Sequence, residues 1–422
     1  MQAPHFIFLG ISALAAAATT TPTAAPTSAP AASITAANAA QTYRVTLSAA
    51  DFDRAGEIAS FKLPAPAPKV FALHDAAGKI VPTQTDDRDN VLFFIPAQKS
   101  GEKLSYTFDP APSTAAPASP GVEVKKEDGR LRFSLNDQTI FYYQMDPAPA
   151  PRDGIDPKML RGAFIEPIFS PAGKRVTDSY PADHVHHHGI WTAWEGTEFE
   201  GRKPDFWNTQ QANGGTVEFV ALDKMWGGVV QGGFVARHRF MDRQTTPATA
   251  ALNEKWEVAV YAAPGFSARI FDLRMTHTLA TDDPLALTKY RYGGLGVRGS
   301  AEWLDKTNFT VLTSNGVTDR VQSQAKSTRW FFLGGKVGGA MCGITVLDDP
   351  ANFRAPQPVW MNADQPFFCY VPVANEGFSI TKDKPYTARY RFIIQDGAPD
   401  AKFLEACWQG FAHPATAAVE AK

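Results

Sequence analysis

The stretch Tyr386-Thr387-Ala388-Arg389-Tyr390-Arg391-Phe392-Ile393-Ile394 alternates large side chains with polar ones over most of its length. Successive side chains of a strand point to opposite faces. The pattern therefore reads as an antiparallel strand with one face in a core and the other polar. Residues 131–135, 216–220, 256–261 and 269–275 repeat it. Helical periodicity is nearly absent until 400–411, where Phe403, Leu404, Cys407, Trp408 and Phe411 fall on one helical face. The chain is thus expected to be all-β with a short C-terminal helix. Roughly 270 strand-rich residues exceed one simple sandwich. A large antiparallel two-sheet supersandwich over 121–412, with a cleft on one sheet, is the simplest solution.

Upstream, 41–112 carries short strand patterns at 43–47, 61–63, 70–73 and 91–95, with a turn at Asp75-Ala76-Ala77-Gly78-Lys79. This predicts a small β-sandwich domain serving as a platform. A Pro/Ala/Ser linker over 110–120 marks the boundary. Residues 1–40 read as a signal peptide and an Ala/Thr/Pro-rich linker, with Ala37-Asn38-Ala39 as a candidate cleavage site. The first Lys or Arg is Arg44, so the positive segment that usually opens a signal peptide is missing. The apolar run near the N-terminus is too short to span a bilayer and none later is longer, so no membrane insertion is expected. The expected location is periplasmic or secreted. The net charge of −2 over 422 residues argues against a nucleic-acid partner held by a basic face. Cys342, Cys369 and Cys407 have no CxxC spacing and read as three buried thiols, with a Cys342–Cys369 bridge as the alternative.

Chemistry concentrates between Tyr180 and Asn208. Asp183-His184-Val185-His186-His187-His188-Gly189-Ile190-Trp191 places four of the nine histidines within five positions, and Asp205-Phe206-Trp207-Asn208 follows. If the first block is extended, His184, His186 and His188 share one face and His187 takes the other. Neighbours two apart can then converge on one ion, so a divalent metal would take His184 and His186, or His186 and His188. Glu166, Asp205 and His277 are the candidates for further ligands. Without a metal, one histidine serves as general acid or base, because imidazole titrates near neutral pH. Trp191, Trp194 and Trp207 suit sugar faces, or else pack in the core. Asp205 accepts from a hydroxyl, orients a histidine, or caps a turn after Pro204. Tyr292 and Arg298 bracket Gly293-Gly294-Leu295-Gly296. That run lacks the Lys-Ser/Thr of a phosphate loop and reads as a strand that bends or lets ligand approach the backbone. Arg298 would hold a carboxylate bidentately, or form an internal ion pair. Glu195, Glu198 and Glu200 form an acidic loop from which one carboxylate could act as acid or base.

Three segments together resemble the PmoA-like family of secreted bacterial proteins: 161–180, the block 183–191 followed by Asp205-Phe206-Trp207, and 292–299. That family's pattern is nearer Asp-His-Pro-His-His-Arg-Gly-Leu-Trp. His184, His186 and His187 match it, while Val185 and His188 stand where it has Pro and Arg. Glu166 stands where it often has His. The family is labelled a methane oxygenase, but a membrane-embedded oxygenase subunit needs hydrophobic spans that this chain lacks. What the resemblance implies is an extracytoplasmic supersandwich similar to mutarotase-like, glycan-processing domains. The resulting expectation is an exported lyase or hydrolase acting on an oligosaccharide, a uronic-acid or oxidised sugar among the candidates. His186, His187, Asp205 and Glu166 are its catalytic candidates. Trp191, Trp207, Asn208, Tyr292 and Arg298 are its substrate contacts. The alternatives are a non-catalytic glycan-binding protein and a metal-dependent oxidase.

Overall fold

The period-two pattern sorts side chains as anticipated. In Gln231–Asp242 the residues Phe234, Ala236, His238 and Phe240 are buried, while Arg237 and Arg239 between them are exposed. The computed structural model describes residues 41–62, 71–109, 121–147 and 149–422. The expected signal segment and the 110–120 linker lie outside these. Two eight-stranded antiparallel sheets dominate. One runs in the order Val359–Met361, Phe367–Tyr370, Gly294–Arg298, Ile190–Ala193, Phe164–Ile168, Gln138–Gln144, Arg130–Leu135, Val122–Glu127. The other runs Thr216–Trp226, Gln231–Asp242, Thr249–Tyr261, Ala268–Leu279, Tyr386–Asp396, Ala340–Asp348, Trp330–Val337, Thr310–Thr313. Their facing sides enclose the main core, rich in Phe, Trp and Tyr. The fold is all-β and sandwich-like, with a short C-terminal helix.

That helix, Ala401–Ala412, starts at Asp400, whose carboxylate accepts from the backbone N–H of Lys402 and Phe403. Such a cap satisfies donors that the first turn leaves free. Leu404, Cys407, Trp408 and Phe411 bury against Ile270, Trp330, Leu347 and Ile393 on the outer side of the second sheet. Residues 43–109 build two smaller sheets around Val45, Leu47, Phe61, Phe93 and Phe108. The last strand, Ala417–Ala421, returns to pair antiparallel with Tyr43–Leu47. Cys342, Cys369 and Cys407 are separate buried thiols.

Candidate active site

The histidine block is a turn, which corrects the extended reading. The His187 N–H donates to the His184 carbonyl at 2.8 Å, and pairing starts only at Ile190, opposite Ile165. Before that point the His187 carbonyl accepts from the Tyr180 N–H and the Gly189 carbonyl from the Arg298 N–H, both at 2.9 Å. The turn brings together His184, His186 and His187, with ring centroids 4.6–5.7 Å apart. His188 leaves the group. It stacks on Phe164 at 4.4 Å, meets the edge of Tyr180, and lies 3.1 Å from Ser179 Oγ. The division into faces thus differs from strand alternation, because a turn rotates side chains by other angles.

The cluster is anchored from beneath. Arg298, fully buried, donates to both Asp183 oxygens at 3.1 and 3.2 Å and lies 3.5 Å from His187 Nδ1. His184 Nδ1 donates to the same carboxylate at 2.8 Å. Burial would raise the Asp183 pKa, but Arg298 and His184 outweigh it and hold Asp183 below the usual carboxylate value. Burial pushes His186 down to about 4 and His187 well below its ordinary value, with neighbouring imidazoles and Arg298 adding to the effect. Both rings are therefore neutral at neutral pH. Arg298 forms the internal ion pair rather than an open carboxylate contact.

Trp207 continues the wall from His187, with ring centroids at 6.3 Å, and leads to Tyr292 at 5.4 Å. Tyr290 packs edge-on to Tyr292 at 4.9 Å, and Arg291 lies over Tyr292 and Trp360. Trp191 is 0% exposed and Trp207 2%, so neither has the open face expected of a sugar platform. The half-exposed rings are Tyr290, Tyr292 and Trp360. Gly296 explains the Trp191 position: a Cβ there would meet the indole at 2.8 Å. The glycines make room for a core tryptophan.

Asp205 caps its own turn. It accepts from the backbone N–H of Trp207 and Asn208 and from Asn208 Nδ2, all at 2.8 Å, and Asn208 Nδ2 also donates to the Tyr292 hydroxyl at 3.1 Å. It orients no histidine. Glu195 is the carboxylate that gains a distinctive environment. Burial, then the charge of Asp205, pushes its pKa up to about 7 against the opposing effect of the Tyr290 hydroxyl. Its Oε2 is buried without a partner among the described residues. The acidic-loop reading named Glu195 without separating it from Glu198 and Glu200, which are exposed.

Two expected participants have other partners. Glu166 is bound by Arg175 at 2.6 and 2.9 Å, and burial pushes its pKa up to about 7. His277 belongs to a buried chain that sequence reading missed. Glu254 Oε2 accepts from His238 Nδ1 at 2.6 Å and Glu254 Oε1 from His277 Nε2 at 2.8 Å. Thr192 donates to Glu254 at 2.5 Å, Tyr143 lies 2.6 Å from His238, and Trp194 donates to His277 at 3.0 Å. His238, Glu254 and His277 are direct cross-strand partners. Their signal was present in the sequence as polar residues in phase with apolar ones. Among the described residues no three His, Cys, Asp or Glu side chains converge as metal ligands. Asp183 is committed to His184 and Arg298, Asp205 to its own turn, His277 to Glu254 and Trp194, and Glu166 Oε1 to Arg175. The donor set therefore does not fit a metal held by His184 and His186.

A family model described as "Family of unknown function (DUF6807)" matches residues 130–409, and the chain belongs to that family. No curated protein matches the chain significantly. Among solved structures it is similar to an alpha-mannosidase from Enterococcus faecalis V583, at 12% identity and a TM-score of 0.41, covering 90% of this chain and 46% of that one. It is also similar to a protein in the glycosyl hydrolase family 38 from Enterococcus faecalis, at 12% identity and 0.40, covering 90% and 47%. The chain thus spans about half the length of these structures.

Proposed function

For this member of a family of unknown function, we propose an exported carbohydrate-active enzyme that cleaves an oligosaccharide by hydrolysis or elimination. The observation that carries the reading is Glu195, a half-buried carboxyl held near pKa 7 beside Asp205 and Tyr290. A carboxyl that remains largely protonated just below neutrality suits a general acid. The half-exposed rings of Tyr290, Tyr292 and Trp360 offer apolar faces to a pyranose, and Asn208 offers its amide oxygen to a hydroxyl. His186, which burial keeps neutral, accepts a hydrogen bond in the depression it lines with His184. A non-catalytic glycan receptor is the second reading, favoured by the commitment of Arg298 and Asp183 to each other.

The test is incubation with a panel of oligosaccharides, uronic-acid glycans included, followed by mass spectrometry. Fragments whose masses sum to the substrate mark elimination, and a gain of one water marks hydrolysis. Glu195→Gln should lower turnover by about 100-fold or more while glycan binding persists. Turnover by the wild type should fall as pH rises through about 7, where Glu195 loses its proton. Binding without turnover across the panel selects the receptor reading. Unchanged turnover in Glu195→Gln removes the acid assignment.

A further inference from the structure

Arg161 opens one of the segments that mark this chain, yet the cleft does not use it. It is 4% exposed. Its Nε donates to the Gly162 carbonyl at 3.0 Å and its Nη2 to the Ala163 carbonyl at 3.3 Å. A guanidinium has five N–H donors. Three of them thus have no protein acceptor among the described residues, and no carboxylate pairs with this group. Arg243 stands nearby in a similar state. Its Nη1 donates to the Lys158 carbonyl at 2.9 Å and its Nη2 to the Gly215 carbonyl at 2.7 Å, while its Nε is buried without a partner.

Both arginines line a depression of about 380 Å³ between the 157–162 segment and the start of Thr216–Trp226. Met145, Pro147, Leu160 and Phe219 contribute apolar walls. Asp146 and Glu218 also border it, but both are exposed and neither forms an ion pair with either arginine among the described residues. Glu254, the buried anion on the core side, is saturated by His238, His277 and Thr192. Two like charges on one depression, Arg161 buried and Arg243 half-buried, repel each other, and an anion between them offsets that cost.

We propose that this depression binds a small ligand through an oxyanion group, a carboxylate, sulfate or phosphate, held by the Arg161 and Arg243 guanidiniums. The planar fork of each arginine matches two oxygens of such a group. Burial pushes the Arg161 pKa down to about 10 and lowers that of Arg243, with their mutual repulsion adding to the Arg161 shift. Bound anion would reverse both shifts. The site is separated from the histidine cleft by the turn Pro157–Met159, and Lys158 borders both depressions. It does not depend on turnover in that cleft.

The test is titration calorimetry on the full chain at low salt with glucuronate, sulfate, phosphate and, as the neutral control, glucose. One anion should bind saturably at one site while glucose does not. Arg243→Gln should weaken that binding by about tenfold or more, the loss of a charge-assisted pair. Arg161→Met should do the same where it folds, and Arg243→Gln decides the matter where it does not. Tightest binding of glucuronate identifies a sugar acid, and tightest binding of sulfate or phosphate an inorganic oxyanion. The absence of saturable anion binding, equal binding of glucose, or unchanged affinity in Arg243→Gln would overturn the proposal.

Discussion

Glu254 holds the two sheets together through one carboxylate, and its removal should be among the costliest single changes in the protein. It is 1% exposed and accepts from His238, His277 and Thr192. Trp194 can only donate, so His277 Nδ1 accepts and His277 Nε2 carries the proton given to Glu254. Glu254→Ala leaves three donors facing a cavity. The loss should be about 3–5 kcal/mol, the range for removing one partner of a buried charged network. That is a large share of the roughly 5–15 kcal/mol that stabilises a typical domain. Glu254→Gln keeps shape and one acceptor. Its amide N–H₂ must face a histidine, and His238 can accept it by exchanging tautomers, with the Tyr143 hydroxyl accepting from Nε2 instead. The cost should then be about 1–2 kcal/mol. Urea denaturation followed by tryptophan fluorescence measures both, as a lower midpoint with unchanged slope. The pH dependence adds a second check. Burial would raise the Glu254 pKa, but the two histidines hold it far below its ordinary 4.5. A depressed carboxylate contributes stability that is complete above the unfolded value and is lost as pH falls towards the folded one. Glu254→Gln should lack that part of the acid sensitivity. A Glu254→Ala cost below about 1 kcal/mol, or equal costs for the two variants, would refute the reasoning.

Other outcomes follow from single contacts. Gly189→Ala should destabilise by about 2 kcal/mol or more in thermal melts, because its Cβ would be driven into the Ile165 carbonyl oxygen and Glu166 Oε2. His186, neutral down to about 4 when folded and titrating near 6.5 when unfolded, makes the protein less stable as pH falls from about 6.5 to 4. His186→Asn should flatten that slope in denaturation measured across the interval. Asp400→Ala should cost about 1 kcal/mol through the lost helix cap, read as a lower urea midpoint, and Asp400→Asn should recover most of it.

The sandwich and its C-terminal helix were legible because burial imposes a period of two on a strand and 3.6 on a helix, and both periods survive in one dimension. The histidine block was legible as a concentration of chemistry. Its geometry was not, since the turn at 184–187 is anchored by Tyr180 and by Arg298, 111 positions from His187. Arg298 itself illustrates the limit. A guanidinium that pairs Asp183 and one that awaits a ligand look alike in sequence. The same ambiguity hid Glu254, whose in-phase position signalled burial but not its partners on two neighbouring strands and the facing sheet.

By itself the sequence determined the elements, the direction their faces point, and the short list of residues able to do chemistry. Those properties follow from local sterics and solvent exclusion, which act on neighbours along the chain. Tertiary structure alone decided which of them meet. It set His184, His186 and His187 above Arg298 and sent His188 to Phe164. It closed Trp191 and Trp207 into the core, moved the distinctive carboxyl to Glu195, and left Arg161 without an ion-pair partner among the described residues. Pairing, burial and pKa depend on groups brought together from distant positions, and the energies that fix them exist only once the sheets have packed.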